Sequence, residues 1–213
     1  VGWAGEGGSR NETDTPILAS RKPTFGTLYA YPKASEESMQ DIFFDVQQWL
    51  VESVADTMAA EEARVIIEGD GSNKPTGFLD TTPTATPDDT SPARADGALQ
   101  FIATGSASGF PPLSVTSPFS YPADTIIDLV HSVKTKYLAD PTGVGFVMSR
   151  ETAATVRKFK DADGNYIWAN ALAAGMPSTL AGYPVYLCDA MPAIAVNSFP
   201  IAFGNWRRAY LLA

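Results

Sequence analysis

Residues 36–69, "EESMQDIFFDVQQWLVESVADTMAAEEARVIIEG", form the longest helical pattern in the chain and constrain its architecture most. Ile42, Val46, Trp49, Leu50, Val54, Met58 and Val65 largely follow the i, i+3, i+4 spacing of an apolar helix face. Ser35 is placed to cap the start, with Glu36 and Glu37 in the first turn, where the helix dipole favours anions. Gly69 is placed to end the helix as a left-handed C′ residue. A helix of about 25–30 residues spans roughly 37–45 Å. That is longer than a compact domain of this size requires, and it predicts a spine crossing an elongated or flat subunit.

The flanking segments differ in character. Residues 1–35 are rich in Gly, Thr, Ser and Pro, with Phe25, Leu28, Tyr29 and Tyr31 as strand formers. Pro16, Pro23 and Pro32 restrict any strands there to edges or to an extended arm lying on something else. Residues 80–118 are dominated by Thr, Pro, Ser, Ala and Asp and read as a surface insertion, with "GALQFIATG" its one strand-like run. From residue 119 the pattern becomes compact α/β. "SYPADTIIDLVHSVKTKYLADP" predicts an amphipathic helix over 122–139, and "GVGFVMS" a buried strand. Ser149 caps a second helix in "RETAATVRKFKD". "GNYIW", "YPVYLCDA" and "PIAFGNWRRAYLLA" read as further strands.

Composition narrows the function. With 15 basic and 24 acidic residues the formal charge is −9, and the densest basic groups are only Arg21-Lys22 and Arg207-Arg208. Nucleic-acid and anionic-membrane binders need a basic face to displace counterions, so the balance argues against both. No apolar run reaches the length needed to cross a bilayer. A single cysteine, Cys188, excludes an internal disulfide and a multi-cysteine zinc site, and its alternating context reads as a buried apolar filler. The opening "VGWAGEGGSRNETD" lacks an initiator Met and a signal-peptide pattern, and the end stops on an apolar run. The expectation is a chain truncated at both ends.

The chemical motifs fail one by one. "EGDGSNKPTGFL", residues 68–79, has the composition of a phosphate cradle, but it follows a helix and Lys74 precedes Pro75, unlike a Walker A loop. It reads as a helix stop followed by a turn at Pro75 and Gly77. "DADGNYIW" places Asp161, Asp163 and Asn165 at positions 1, 3 and 5 of a calcium loop. Tyr166 then stands where glycine belongs and Leu172 where the bidentate Glu belongs, so the stretch reads as a helix exit with Gly164 at the turn. His131, the one histidine, sits within a helix, reads as a surface or interface residue, and has no nucleophile elbow to serve. Glu61-Glu62 and Asp88-Asp89 read as solvated faces. No catalytic, cofactor-binding or metal-binding residue is assigned, and the chain is not read as an enzyme.

Four segments carry a resemblance: "LYAYPKAS", "AAEEARVIIEGDGSNKPTGFL", "RKFKDADGNYIWANALAAGMPSTLAGYPV" and "PIAFGNWRRAYLL". In this order the chain resembles the major capsid (head) protein family of tailed bacteriophages, whose Hong Kong 97-like fold is shared with encapsulin shells. The resemblance implies an α+β fold with an extended β-hairpin arm, a long spine helix and a compact α/β axial domain. Residues 1–37 become the arm (E-loop) that reaches over a neighbour, and residues 38–118 the spine helix and partial peripheral domain with the Thr/Pro-rich insertion. Residues 119–213 become the axial domain.

The implied function is structural. Copies would self-assemble in the bacterial host cytoplasm into pentamers and hexamers of an icosahedral virion capsid, of a phage or prophage. The shell would enclose DNA without sequence-specific binding and without a membrane. The implied partners are other copies of the chain, with scaffold, maturation protease and portal. Two departures stand out: the family's segment before the hairpin and its strands after "RRAYLL" are missing. The lysine–asparagine cross-link of some members is not expected, because the arm offers Arg10 and Asn11 but no lysine. The rival readings are an encapsulin-type nanocompartment shell and a hydrolase or sugar-binding protein with a scattered acidic site.

Overall fold

The computed structural model describes residues 24–33, 45–88, 90–92, 94–95, 97–107, 109–116, 118–168 and 179–209. Helix α1 runs Val46–Glu68, 23 residues and about 35 Å. Asp45 is its N-cap, and its carboxylate accepts the amides of Gln47 and Gln48 at 3.0 and 3.1 Å. These are donors the first turn cannot satisfy internally. Asp45 itself is extended, so the helix starts at Val46 rather than near Ser35, which lies outside the described residues. Only Val46, Val65 and Ile67 of α1 are buried, with Leu50, Val54 and Met58 half-buried between them. Trp49 leaves the expected apolar stripe and is exposed, because its i+3 and i+7 neighbours are Glu52 and Asp56.

The end of α1 corrects a second expectation. Gly69 is extended (φ −62°, ψ 133°) and not left-handed. What its position demands is room: a Cβ there would lie 2.1 Å from the Pro75 carbonyl oxygen and 2.6 Å from that of Val65. The left-handed residues come later, at Gly71 (φ 70°) and Asn73 (φ 55°). The chain then doubles back over the helix end. The amides of Gly69, Phe78 and Leu79 bond the carbonyls of Val65, Ile66 and Ile67 at 2.9, 3.1 and 3.0 Å. Acceptors that a helix end leaves open are thereby satisfied by its own returning chain.

Downstream, helices α2 (Asp124–His131) and α3 (Thr135–Leu138) precede strand β1 (Val144–Met148) and helix α4 (Arg150–Arg157). Strands β2 (Thr179–Leu180), β3 (Tyr183–Leu187) and β4 (Ile201–Asn205) lead into a short helix α5, Trp206–Ala209. The sheet order is β2-β3-β1-β4, with β1 parallel to β3 and antiparallel to β4. A parallel neighbour requires a crossover, and α4 supplies a helix in it. Ser149 caps α4 as the sequence implied, its hydroxyl accepting the Thr152 amide at 3.2 Å. Register sets Phe146 beside Val185 and Phe203, and Met148 beside Leu187 and Ile201. Alternate residues of a strand share a face, so Phe146, Met148, Val185, Ile201 and Phe203 form one apolar surface, while Leu187 is exposed. Ile126 and Val130 of α2, Ala153 and Val156 of α4, and Phe159 close the core against it.

Other expectations need correction. The helix read over 122–139 breaks between α2 and α3, where the Ser132 hydroxyl bonds the Leu129 carbonyl at 2.7 Å and Lys134 is extended. "GNYIW" forms only a bridge between Lys160 and Tyr166, because Asp161 gathers the intervening amides into a turn. "GALQFIATG" pairs only through a Thr84–Gln100 bridge, since Pro83 and Pro87 deprive the partner segment of ladder donors. The run after Asn205 turns helical instead of continuing as a strand.

The Thr/Pro-rich insertion is also more than a surface flap. Phe110 packs edge-on against Phe159 at 4.8 Å, and Phe101 tilts against Phe199 at 5.9 Å. Asp88 pairs with Arg94 and lies 4.0 Å from Lys134.

Truncating Phe146, which is fully buried, to Ala is expected to lower unfolding free energy by about 3–5 kcal/mol in denaturant titrations. Gly77→Ala adds a Cβ 2.5 Å from the Gly69 nitrogen and the Ile67 carbonyl oxygen. It is expected to cost about 1–3 kcal/mol in the same measurement, as overpacking does.

Candidate functional site

The loop at residues 68–79 is a corner, and its side chains serve the turn. Asp70 accepts the Ser72 amide at 2.9 Å and pairs with Lys74 at 3.4 Å. The Ser72 amide, followed by Lys74, holds the Asp70 carboxyl below the usual carboxylate range. Lys74 is therefore engaged by a carboxylate of its own loop, an arrangement unlike a phosphate cradle. The arm crosses this corner. A Cβ on Gly26 would lie 2.1 Å from the Asn73 carbonyl oxygen, and the Thr24 and Thr76 hydroxyls are 3.2 Å apart.

In an extended chain alternate residues face opposite ways, so with Gly26 against the corner, Phe25, Tyr29 and Tyr31 take the other side. They are 74%, 82% and 80% exposed. Among the described arm residues no strand pairing is present, in contrast to the strand-forming composition.

Between the insertion and the sheet lies a cleft of about 930 Å³ whose apolar lining includes Phe101, Phe110, Ile194 and Trp206. Trp206 stands in its wall. The indole donates to the Gly145 carbonyl at 3.0 Å, and the ring meets Phe78 edge-on at 5.1 Å. Sequence reading did not single out Trp206, Gly26 or Phe110. For Phe110 the one signal was an aromatic in a stretch otherwise built from Thr, Pro and Ser.

The remaining candidates scatter. Asp161 accepts the amides of Asp163 and Asn165 at 3.0 and 2.8 Å and the Asn165 side chain at 3.2 Å. Gly164 takes the turn at φ 86°, as the helix-exit reading requires. The Asn165 amide and side chain hold the Asp161 carboxyl below its ordinary value. His131 is exposed, with Nδ1 2.8 Å from the Ile127 carbonyl of its own helix. Cys188 is a free thiol and half-buried, less enclosed than the filler the sequence implied. Glu61 pairs with Arg64, which lowers its carboxyl below the usual range. Asp88 is engaged by Arg94 rather than simply solvated. Arg10, Asn11 and Asp89 lie outside the described residues.

Among the described residues, no cluster of His, Cys, Asp or Glu could hold a metal ion, and no helix is long and apolar enough to cross a membrane. What the geometry concentrates is exposed apolar surface on an arm and a helix, not reactive groups. That is the chemistry of association.

The sequence matches the model of the phage capsid family over residues 1–213. The chain belongs to that family. Among solved structures this capsid-family chain is similar to the capsid of an empty GTA particle and that of a native GTA particle, both computed with C5 symmetry. Identity is 41% in each case, with TM-scores of 0.76 and 0.78, over 97% of this chain and 64% of those chains. The chain thus spans 64% of the length of those capsid chains. Comparison with curated proteins returned no match. The observed mix of helices and strands fits a phage capsid fold, and the family and the similar particle capsids point to a structural protein.

The Asp161 turn has a defined pH dependence. Its carboxyl is depressed below the ordinary 3.8, so its contribution is complete above that value and is lost as pH falls through the depressed one. Amide exchange at Asp163 and Asn165 should therefore quicken only below the ordinary carboxylate range. Asp161→Ala should produce that quickening at neutral pH while the β1 amides stay protected.

Proposed function

We propose that the chain is a structural subunit of a phage-type icosahedral capsid, self-assembling into pentamers and hexamers that enclose DNA. The observation that carries this reading is the 41% identity to GTA particle capsids across 97% of the chain. In this reading the fold is Hong Kong 97-like. Residues 1–37 are the arm that reaches over a neighbour, 38–118 the spine and part of a peripheral domain, and 119–213 the axial domain. Scaffold, maturation protease and portal are the further partners, and the particle forms in the host cytoplasm.

The physical support is the distribution of apolar surface. Phe25, Tyr29 and Tyr31 face solvent, and full burial of one large apolar side chain contributes roughly 1.5–3 kcal/mol. An isolated subunit gains nothing from these side chains; a neighbour covering them gains several such increments. Acidic composition is compatible with a shell that encloses DNA without gripping it.

Negative-stain microscopy of the full-length protein, expressed with any scaffold and protease it requires, should show closed hollow particles. Discrete small species under every assembly condition would sink the shell reading. Replacing Phe25 and Tyr29 together by Ser should sharply reduce particle yield while leaving the unfolding midpoint of the unassembled subunit unchanged. Normal yield from that variant would remove the arm from the contact.

A further inference from the structure

We propose that the residues following α5, Tyr210, Leu211, Leu212 and Ala213, pair as a further strand with the free edge of β4 and fill the cleft beside it. These four lie outside the described residues, whereas the free edge, the cleft and the exit of α5 are all described.

Strand β4 stands at the end of the sheet order, and among the described residues its one strand partner is β1. The direction of its backbone groups follows from that partner. The Met148 carbonyl accepts the Cys188 amide at 3.0 Å, so Phe146 and Met148 turn their backbone toward β3. Gly143 faces the other way, and its carbonyl accepts the Trp206 amide at 2.9 Å. By the same alternation Gly145 and Val147 bond Gly204 and Ala202, the residues they oppose. Ile201, Phe203 and Asn205 therefore aim their amides and carbonyls away from the sheet. Among the described residues no backbone group bonds them on that side.

An open edge of this kind is a template for another strand, and its unpaired groups are costly wherever water is excluded. This edge looks into the apolar cleft, which Phe101, Phe199, Ile201 and Phe203 line together. Helix α5 brings the chain to the same place, since Trp206, Arg208 and Ala209 are part of the lining. The next residues, Tyr210, Leu211, Leu212 and Ala213, carry no charged side chain. Helix α5 has four residues and makes a single turn. That is the length of a hairpin connection, and four-residue hairpin loops are most often built around a type I turn, whose dihedrals are close to helical. A segment tethered at the mouth of the cleft also reaches the edge ahead of a second molecule.

Antiparallel pairing across this connection sets Tyr210 beside Asn205, Leu211 beside Gly204 and Leu212 beside Phe203. Phe203 already packs against the core, so Leu212 would extend the same apolar face. Leu211 falls on the opposite face next to Gly204, where an added Cβ would meet nothing within 4 Å. The strand would thus cover a spot that the rest of the sheet leaves bare.

The test is amide exchange, residue by residue, in the full-length protein kept unassembled. Pairing on both edges of β4 should protect the Phe203 amide to within about tenfold of those of Ala202 and Gly204. Fast exchange at Phe203 between slow Ala202 and Gly204 would overturn the pairing. Protection of Phe203 that vanishes on dilution would assign the edge to a second copy and overturn it too. Leu212→Pro removes the donor opposite Phe203 and should speed exchange there about tenfold or more, while Ala202 and Gly204 stay slow. Unchanged protection of Phe203 in that variant would refute the register.

A covalent measurement is independent of exchange. In a Cys188→Ser background, Gly204→Cys and Leu211→Cys would form a non-hydrogen-bonded pair. Opposed Cα atoms at such a position are about 4.5 Å apart, a separation a disulfide spans. Oxidised glutathione, itself reduced to two thiols, should close the bond within one chain. A link between chains, or none, would overturn the pairing. Neither measurement involves a particle, so either outcome leaves the shell reading as it stands.

Discussion

The Trp206 indole joins the two halves of the molecule. Its N–H donates to Gly145 in the central strand, while its ring stands edge-on to Phe78, just past the corner that ends α1. The spine helix makes little other contact with the sheet unit, because its buried residues lie at its two ends. The attachment therefore rests on a short chain of contacts from Ile67 through Gly77 and Phe78 to Trp206. Each link requires close approach. That is why Gly69 and Gly77 carry no side chain and why the indole hydrogen bond reaches backbone on the central strand.

The same economy leaves surface uncommitted. A helix of 23 residues buried only at its ends and an arm that touches its own chain at Gly26 are poor investments for a solitary subunit. They become reasonable when neighbouring copies cover them. In the proposed shell, rigidity at the corner would matter because a tile in a closed surface must hold its angle. The hydrogen bonds that return from Phe78 and Leu79 to the end of α1 fix that angle without a large core.

Much of the α/β part was legible in the residues. The buried run Val144–Met148 and the Ser149 cap follow from local rules, since apolar continuity and a hydroxyl before a helix act within a few residues. Other expectations failed where competing interactions decided. Trp49 looked apolar enough for the stripe, yet helical geometry set it with Glu52 and Asp56. "GNYIW" had strand composition, but the Asp161 carboxylate captured the amides that a ladder would have used. Phe110 sat in a stretch whose composition argued for a loop and Phe101 in the run read as a strand, and packing against Phe159 and Phe199 leaves both half-buried.

By itself the sequence determined the long helix, the central strand and the glycine-rich corner. These rest on periodicity, capping and residue type, which act locally. Tertiary structure alone decided why the corner needs its glycines: the strain is not in φ at Gly69 but in the space left by Pro75 and Val65. It alone brought Trp206 to Phe78 and Gly145, and Phe110 to Phe159. Such relations join residues far apart in the chain, and no local propensity encodes them.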